Sequence, residues 1–205
     1  MKIQTILITL LFCSTTLFGQ TKKERQNPPP SPSFNKNHQC VNTHKYSFAD
    51  RLKNYPFNKA YAVLIVSFNY SVVETYIITP NNTDSTAIYG EGKLPIKNDT
   101  LSYADLAENF KLNEKQIDSL TNILFNYDYK GKIEFESTSL CFDPHNAIVF
   151  LDNNGKMFEY IEICFLCDQI KASSEKIKTG NFCHGKYELL KTYFRQIGLK
   201  IGVEK

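Results

Sequence analysis

The chain has 205 residues, and its 24 basic and 21 acidic side chains give a formal net charge of +3. A charge this close to balance offers no electrostatic reason to bind nucleic acid or an anionic membrane, so we expect neither partner. The sequence also lacks the GxSxG, HExxH, GxxxxGKS/T and GxGxxG motifs of common hydrolases, metalloproteases and nucleotide-binding proteins. We therefore expect a protein that is not an enzyme, while an unfamiliar type of active site stays open.

Residues 1–19 have the pattern of an export signal. Lys2 supplies a short basic start, and the apolar run from Ile6 to Phe12 is too short to cross a bilayer comfortably. Cleavage after the small residue Gly19 would release a mature chain from Gln20, which loses one basic side chain and has a net charge of about +2. No later stretch is apolar enough to be a transmembrane segment.

Export would place the protein in the periplasm or outside the cell. An outer-membrane lipoprotein acylated at Cys13 is the alternative. The bulky Phe12 stands where a small side chain normally precedes an acylated cysteine, so we expect no lipid anchor.

Residues 20–45 are predicted to form a disordered, proline-rich linker. The run TKKERQNPPPSPSFNKN at 21–37 mixes charged and polar residues with four prolines. It has almost nothing to bury, so burial cannot offset the entropy that is lost on ordering. The remaining residues, 46–205, have the length of a single domain with its own core.

The first strong strand signal is AYAVLIVSFNY at 60–70, which is rich in β-branched and aromatic residues. A second strand is predicted at 74–79, followed by a turn at 80–82, and a short strand at 87–89. The segment 90–99 contains glycine and proline and is expected to be a loop.

A helix is predicted from 113 to 127. Asn113 and Gln116 have the spacing of a capping box at its start. The apolar residues that follow recur every three or four positions and form one face: Ile117, Leu120, Ile123 and Leu124. Alternating residues at 132–136 then predict a further strand.

The segment 146–166 is predicted to be a β-hairpin. Its strands flank Asn154-Gly155, the preferred centre of a two-residue type I′ turn. With that turn the numbers of opposed residues sum to 309, so His145 would face Cys164 at the open end. The face that is expected to lie in the core carries Ile148, Phe150, Ile161, Ile163 and Phe165.

A last helix is predicted at 184–197, where apolar residues keep helical spacing and Gly198 supplies a C-terminal stop. Together these elements predict an α+β fold. Its antiparallel sheet would be built around the C-terminal hairpin and the 60–70 strand, and two helices would pack on it.

Cysteines crowd the C-terminal half of the chain. Removal of the signal leaves five, and an odd count means that at least one is not paired within the chain. Because oxidising compartments favour disulfides, structural disulfides are the preferred interpretation. The candidates are Cys141, Cys164, Cys167 and Cys183, and one of their three pairings, Cys141–Cys164 with Cys167–Cys183, would leave Cys40 over.

A metal site is the main alternative to the disulfides. We expect no cofactor other than such a metal. Zinc or another thiophilic ion would suit the side chains of Cys141, His145, Cys164 and Cys167. Strand alternation, however, would send Cys164 and Cys167 to opposite faces. A thiol–disulfide oxidoreductase using Cys164-x-x-Cys167 ranks third, because a redox CxxC normally opens a helix.

The runs CFDPHNAIVFLDNNGK, EYIEICFLC and FCHGKYELLKTYF resemble a family of exported bacterial proteins. The family combines a Cys-aromatic-x-Pro stretch, a β-hairpin and an Ile-Cys-Phe-x-Cys strand, and the resemblance covers roughly residues 110–200. It implies export and supplies no activity. Members often carry Arg or His at the positions of His145 and Asn146, which counts against His145 as an obligatory ligand. We expect an exported, disulfide-stabilised module that binds a partner or associates with the cell envelope.

Overall fold

A computed structural model describes residues 40–79, 82–130 and 141–204. The predicted export signal, the linker up to residue 39, the turn residues Pro80 and Asn81, and the strand predicted at 132–136 lie outside the described residues. In the described part, no helix is both long and apolar enough to cross a membrane.

The described residues form short strands, three helices and their connections. In chain order the elements are β1 (Cys40–Asn42), α1 (Phe48–Arg51), β2 (Ala62–Ser67), β3 (Tyr70–Thr79), β4 (Asn82–Gly92), β5 (Ile96–Lys97), β6 (Thr100–Leu101), β7 (Glu108–Lys111), α2 (Glu114–Asn126), β8 (Tyr127–Tyr129), β9 (Asn146–Leu151), β10 (Met157–Cys164), β11 (Gln169–Ala172) and α3 (His184–Ile197).

A five-stranded antiparallel sheet organises the domain, with the strand order β11-β10-β9-β2-β7. The predicted hairpin supplies β9 and β10, and the predicted 60–70 strand supplies β2 beside them. Three smaller sheets pair β1 with β8, β3 with β4, and β5 with β6. The α+β prediction is therefore confirmed, including an antiparallel sheet centred on the C-terminal hairpin.

Both faces of the central sheet are buried. On one face α2 and α3 cover an apolar core, in which Phe165 meets Phe194 edge-on with their ring centroids 5.5 Å apart. The predicted core face lies here: Ile148, Phe150, Ile161, Ile163 and Phe165. On the opposite face Ala147 and Val149 are fully buried against Leu94 and Leu101, because the segment between β4 and β7 folds over the sheet.

The hairpin has the predicted register over most of its length, but its turn differs from the predicted one. Opposed numbers sum to 309 from the Phe150–Glu159 pair to the Asn146–Ile163 pair. The predicted type I′ turn is wrong, because the backbone N–H of Asp152 pairs with the carbonyl oxygen of Lys156 and encloses a three-residue loop. An extra residue, Phe158, in β10 then restores the register.

The carboxylate of Asp152 explains the longer loop. It accepts hydrogen bonds from the backbone N–H groups of Asn154 and Lys156, both at 2.9 Å. Gly155 takes a φ of 75°, the left-handed conformation that closes such a loop. The carboxylate of Asp152, two residues before the Asn154-Gly155 pair, therefore favours the three-residue loop over the two-residue turn.

Both predicted helices are confirmed. Asn113 and Gln116 form the expected capping box at the start of α2, with hydrogen bonds of 2.9 and 2.8 Å in the two directions. α3 has the predicted bounds, and Gly198 ends it at a φ of 122°. Cys183 is the N-cap residue of α3.

Residues 40–43, which the sequence analysis assigned to the linker, contact β8 and the end of α2. β1 pairs with β8 over Cys40–Asn42, and the backbone of Thr43 donates to the carbonyl oxygen of Asn126 at the end of α2. The last residues of the expected linker thus pack on the domain.

Candidate functional site

The described residues contain two disulfides, Cys40–Cys183 and Cys164–Cys167, each with a Cα–Cα distance of 5.5 Å. The pairing Cys141–Cys164 with Cys167–Cys183, one of the three that the sequence left open, is not formed. Cys141 takes part in neither disulfide and is exposed. Three of the four predicted disulfide candidates are thus oxidised, together with Cys40, which was not among the predicted candidates.

The Cys40–Cys183 disulfide joins β1 to the first residue before α3. Cys183 is fully buried, and a Cβ atom at Gly185 would lie 3.3 Å from the sulfur of Cys40. A glycine in the first turn of α3 therefore lets β1 approach the helix closely. The phenol of Tyr129 in β8 adds a hydrogen bond of 2.9 Å to the carbonyl oxygen of Phe182. The disulfide closes 143 residues of sequence separation.

The Cys164–Cys167 disulfide closes the turn between β10 and β11. Cys164 still belongs to the sheet, where it pairs with Gln169, and is 1% exposed. Phe165 enters the core, whereas Leu166 at the tip of the turn is 83% exposed. Cys167 is half-buried. The turn therefore places a half-buried cysteine beside an exposed apolar side chain.

The predicted neighbour of Cys164, His145, holds the start of a two-stranded ribbon formed by β3 and β4. Its carbonyl oxygen accepts from the backbone N–H of Phe68 at 2.9 Å, and its ring Nδ1 lies 3.1 Å from the carbonyl oxygen of Phe68. Donation to that carbonyl requires the tautomer with the proton on Nδ1. The other ring nitrogen lies 3.7 Å from the carboxylate of Asp143.

Two carboxylates hold the second strand of the ribbon at this same end, where Tyr70 of β3 pairs with Gly92 of β4. Asp143 accepts a hydrogen bond of 2.5 Å from the backbone N–H of Gly92, the last residue of β4. The buried Glu162 of β10 accepts one of 2.9 Å from the backbone N–H of Leu94. With His145, these residues fasten both strands of the ribbon, at the end where β3 begins and β4 ends, to the open end of the β9–β10 hairpin. We call Asp143, His145 and Glu162 the ribbon anchor.

The four predicted metal ligands do not come together as one site. Cys164 and Cys167 are bonded to each other, so in this state neither is a thiolate that could bind zinc. His145 belongs to the ribbon anchor, and Cys141 is exposed. Among the residues that the structure describes, no group of three or more His, Cys, Asp or Glu side chains is placed to hold a metal ion. Zinc binding stays a prediction.

Among the described residues, the buried charged side chains of Lys186 and Glu159 were missed by sequence reasoning. Lys186 in α3 is fully buried and donates to the carbonyl oxygens of Leu124, at 3.0 Å, and Asn181. Burial lowers the pKa of Lys186 to about 8, although the carboxylate of Asp128 raises it. Its position beside apolar residues in α3 resembles that of any solvent-facing lysine, so the sequence contains no signal of this burial.

Glu159 in β10 is the second buried group. It accepts hydrogen bonds from the hydroxyls of Tyr55, at 2.6 Å, Ser174, at 2.7 Å, and Ser173. Burial raises the pKa of its carboxyl group, but these hydroxyl donors outweigh burial and hold the pKa below its ordinary value. The bond to Glu159 in turn raises the pKa of Tyr55 to about 12. The carboxylate of Glu159 thus links β10 to the segment after β11 and to the segment before β2, and its hydrogen bonds to three hydroxyls indicate a structural role.

A scan of protein-family models and searches of the curated proteins and of the solved structures found no match to this chain. The resemblance to a family of exported bacterial proteins therefore stays a prediction.

Proposed function

We propose that the chain is an exported, disulfide-stabilised α+β module that binds a partner in the cell envelope and is not itself an enzyme. The Cys40–Cys183 disulfide carries the proposal. It joins two distant parts of the chain, and disulfides of this kind persist in the periplasm or outside the cell but are rare in the cytosol.

The ribbon is the partner-binding element in this proposal. β3 and β4 have ten and eleven residues, and within the described part of the chain they pair with each other alone. A two-stranded hairpin on its own is marginally stable in water. The ribbon anchor holds both strands at the end where β3 begins and β4 ends, and a partner would complete the outer part of the ribbon.

Export is tested by expressing the full chain in a bacterial host and fractionating the cells. The proposal expects a periplasmic or secreted protein that begins at Gln20 and has lost four hydrogens to two disulfides. A variant without residues 1–19 is the matched control and should stay in the cytoplasm in reduced form. A full chain that stays in the cytoplasm with its signal attached would contradict the proposal.

Binding through the ribbon is tested by photo-crosslinking in intact cells. A photoreactive residue replaces Thr75, which pairs with Thr86 in the middle of the ribbon, or Glu188, which is exposed on α3. The proposal expects a discrete crosslinked product at position 75 and none at the control position 188. Equal crosslinking at both positions, or none at position 75, would count against the ribbon.

A further inference from the structure

We propose that the Cys164–Cys167 disulfide is a thiol–disulfide exchange site, and that Cys40–Cys183 is a purely structural crosslink. The inference goes beyond the proposed function, since it needs the two disulfides but neither the ribbon nor an envelope partner. It assigns different chemistry to two disulfides in one domain.

The two disulfides differ first in the length of chain that they enclose. Cys40 and Cys183 are separated by 143 residues, whereas Cys164 and Cys167 are separated by three. A crosslink restricts the unfolded chain more strongly when its loop is longer. Reduction of Cys164–Cys167 should therefore lower the free energy of unfolding less than reduction of Cys40–Cys183 does.

The turn that carries Cys164–Cys167 has other contacts to hold it. Cys164 pairs with Gln169 in the β10–β11 ladder, and Ile163 pairs with Ile170 beside it. Phe165, between the two cysteines, is anchored in the core against Phe194. The domain can therefore open and re-form this disulfide while the turn keeps its shape.

The two cysteines of the turn differ in exposure. Cys164 is 1% exposed, and Cys167 is half-buried next to the exposed Leu166. An incoming thiolate therefore attacks the sulfur of Cys167, and Cys164 is the leaving group. No helix begins at this turn, so no helix dipole favours a thiolate here, and exchange should be slow at neutral pH and faster at alkaline pH.

The exchange balances without a metal or a further cofactor. A thiolate RS⁻ forms a bond to the sulfur of Cys167 while the Cys164–Cys167 bond breaks, and Cys164 leaves as a thiolate that takes a proton from water. A second RS⁻ then attacks the sulfur of R in the mixed disulfide. That step releases RSSR and a Cys167 thiolate, so two thiols are oxidised as one protein disulfide is reduced.

The thiol can come from a small molecule or from a cysteine in a polypeptide. Leu166 separates the two sources, because its exposed side chain can contact an extended peptide but is not needed by a small thiol. Leu166→Ser should therefore slow exchange with a cysteine flanked by apolar residues in a synthetic peptide, and should leave exchange with glutathione unchanged. Equal rates for Leu166→Ser and the parent protein with the peptide would assign the site to small thiols.

The experiment uses the folded mature protein in a Cys141→Ser background, so that the exposed thiol of Cys141 does not react. Reduced glutathione is titrated, alkylation and mass spectrometry report each disulfide, and circular dichroism reports the fold. We expect Cys164 and Cys167 to become reduced while the fold and Cys40–Cys183 remain. Reduction of both disulfides together, with loss of the fold, would overturn the proposal.

Two single variants identify the attacked sulfur. With oxidised glutathione, Cys164→Ser leaves the more exposed Cys167 and should form a mixed disulfide at least about tenfold faster than Cys167→Ser, whose buried Cys164 reacts after local opening. Equal rates for the two variants would overturn the proposal. Failure of export would leave these outcomes unchanged, so the two proposals are tested separately.

Discussion

Gly92 lies directly against the backbone of Pro144. A Cβ atom at position 92 would clash with the carbonyl oxygen of Pro144 and would lie 3.0 Å from the carboxylate of Asp143. The end of β4 can reach the segment before β9 because residue 92 has no side chain. This approach allows the 2.5 Å hydrogen bond from the backbone of Gly92 to Asp143.

Gly92→Ala should therefore destabilise the domain by about 2 kcal/mol, because backbone atoms rather than a flexible side chain would have to move. Urea unfolding of the oxidised protein measures the change. Gly155→Asn is the matched control, since Gly155 has open space around it and Asn tolerates its φ of 75°. An equal, small loss in both variants would show that the Gly92–Pro144 contact is not needed.

His145 should behave as a structural anchor and not as a metal ligand. His145→Leu removes the hydrogen bond to the carbonyl oxygen of Phe68 and should lower the free energy of unfolding by about 1 kcal/mol. His145→Asn is the control, because an amide N–H can replace the Nδ1 donor, and it should recover most of the loss. If Asn is as damaging as Leu, the hydrogen bond to Phe68 is not what His145 contributes.

Metal removal should not affect the oxidised protein. Because the sulfurs of Cys164 and Cys167 are bonded to each other, added zinc or a chelator should leave the thermal unfolding midpoint unchanged. Differential scanning fluorimetry and elemental analysis after dialysis provide the measurement. One zinc ion per chain that is retained on dialysis and lost in His145→Asn would instead support the predicted Cys/His metal site.

Lys186 should give the domain a distinct pH dependence. Its pKa of about 8 lies below the ordinary value of 10.5, so between these two values the unfolded chain keeps a proton that the folded protein has released. The free energy of unfolding therefore rises with pH in this window, whereas below about pH 8 both states are protonated and the cost of burying the charge is present in full.

The comparison is with Lys186→Met, which keeps the bulk of the side chain and removes its charge. From about pH 7.5 to about pH 9.5 the free energy of unfolding of the parent should rise relative to Lys186→Met by about 1–2 kcal/mol. Both proteins carry Cys141→Ser, so that this thiol does not attack the disulfides at alkaline pH. A difference that stays flat or falls over this range would mean that Lys186 does not lose its proton in the folded state.

Elements with local sequence signals were predictable. The capping box of Asn113 and Gln116 and the apolar spacing after it place α2 within one residue of the predicted bounds. β4 was underestimated as 87–89, because its polar first half, Asn82–Ser85, is a strand through its pairing with β3 and not through its own composition. The turn at Asp152 and the bulge at Phe158 were both missed, and their one-residue shifts cancel.

The cysteine partners could not be predicted for a different reason. Cys40 follows a polar, proline-rich run and looks like part of a linker, whereas its pairing depends on a contact between β1 and β8 and on the space beside Gly185. The predicted hairpin register is confirmed from the Phe150–Glu159 pair to the Asn146–Ile163 pair, but it could not show that Cys167 bends back to the sulfur of Cys164. Long-range contacts and turn geometry decide these pairs, and neither has a local signal.

The disulfide linkages of the exported protein decide whether the two crosslinks described above exist. Alkylation without reduction, digestion and mass spectrometry of the crosslinked peptides identify each linkage. We expect Cys40 linked to Cys183, Cys164 linked to Cys167, and an alkylated Cys141. Linkages of Cys141 to Cys164 and of Cys167 to Cys183, or a protein with all five thiols alkylated, would contradict this expectation.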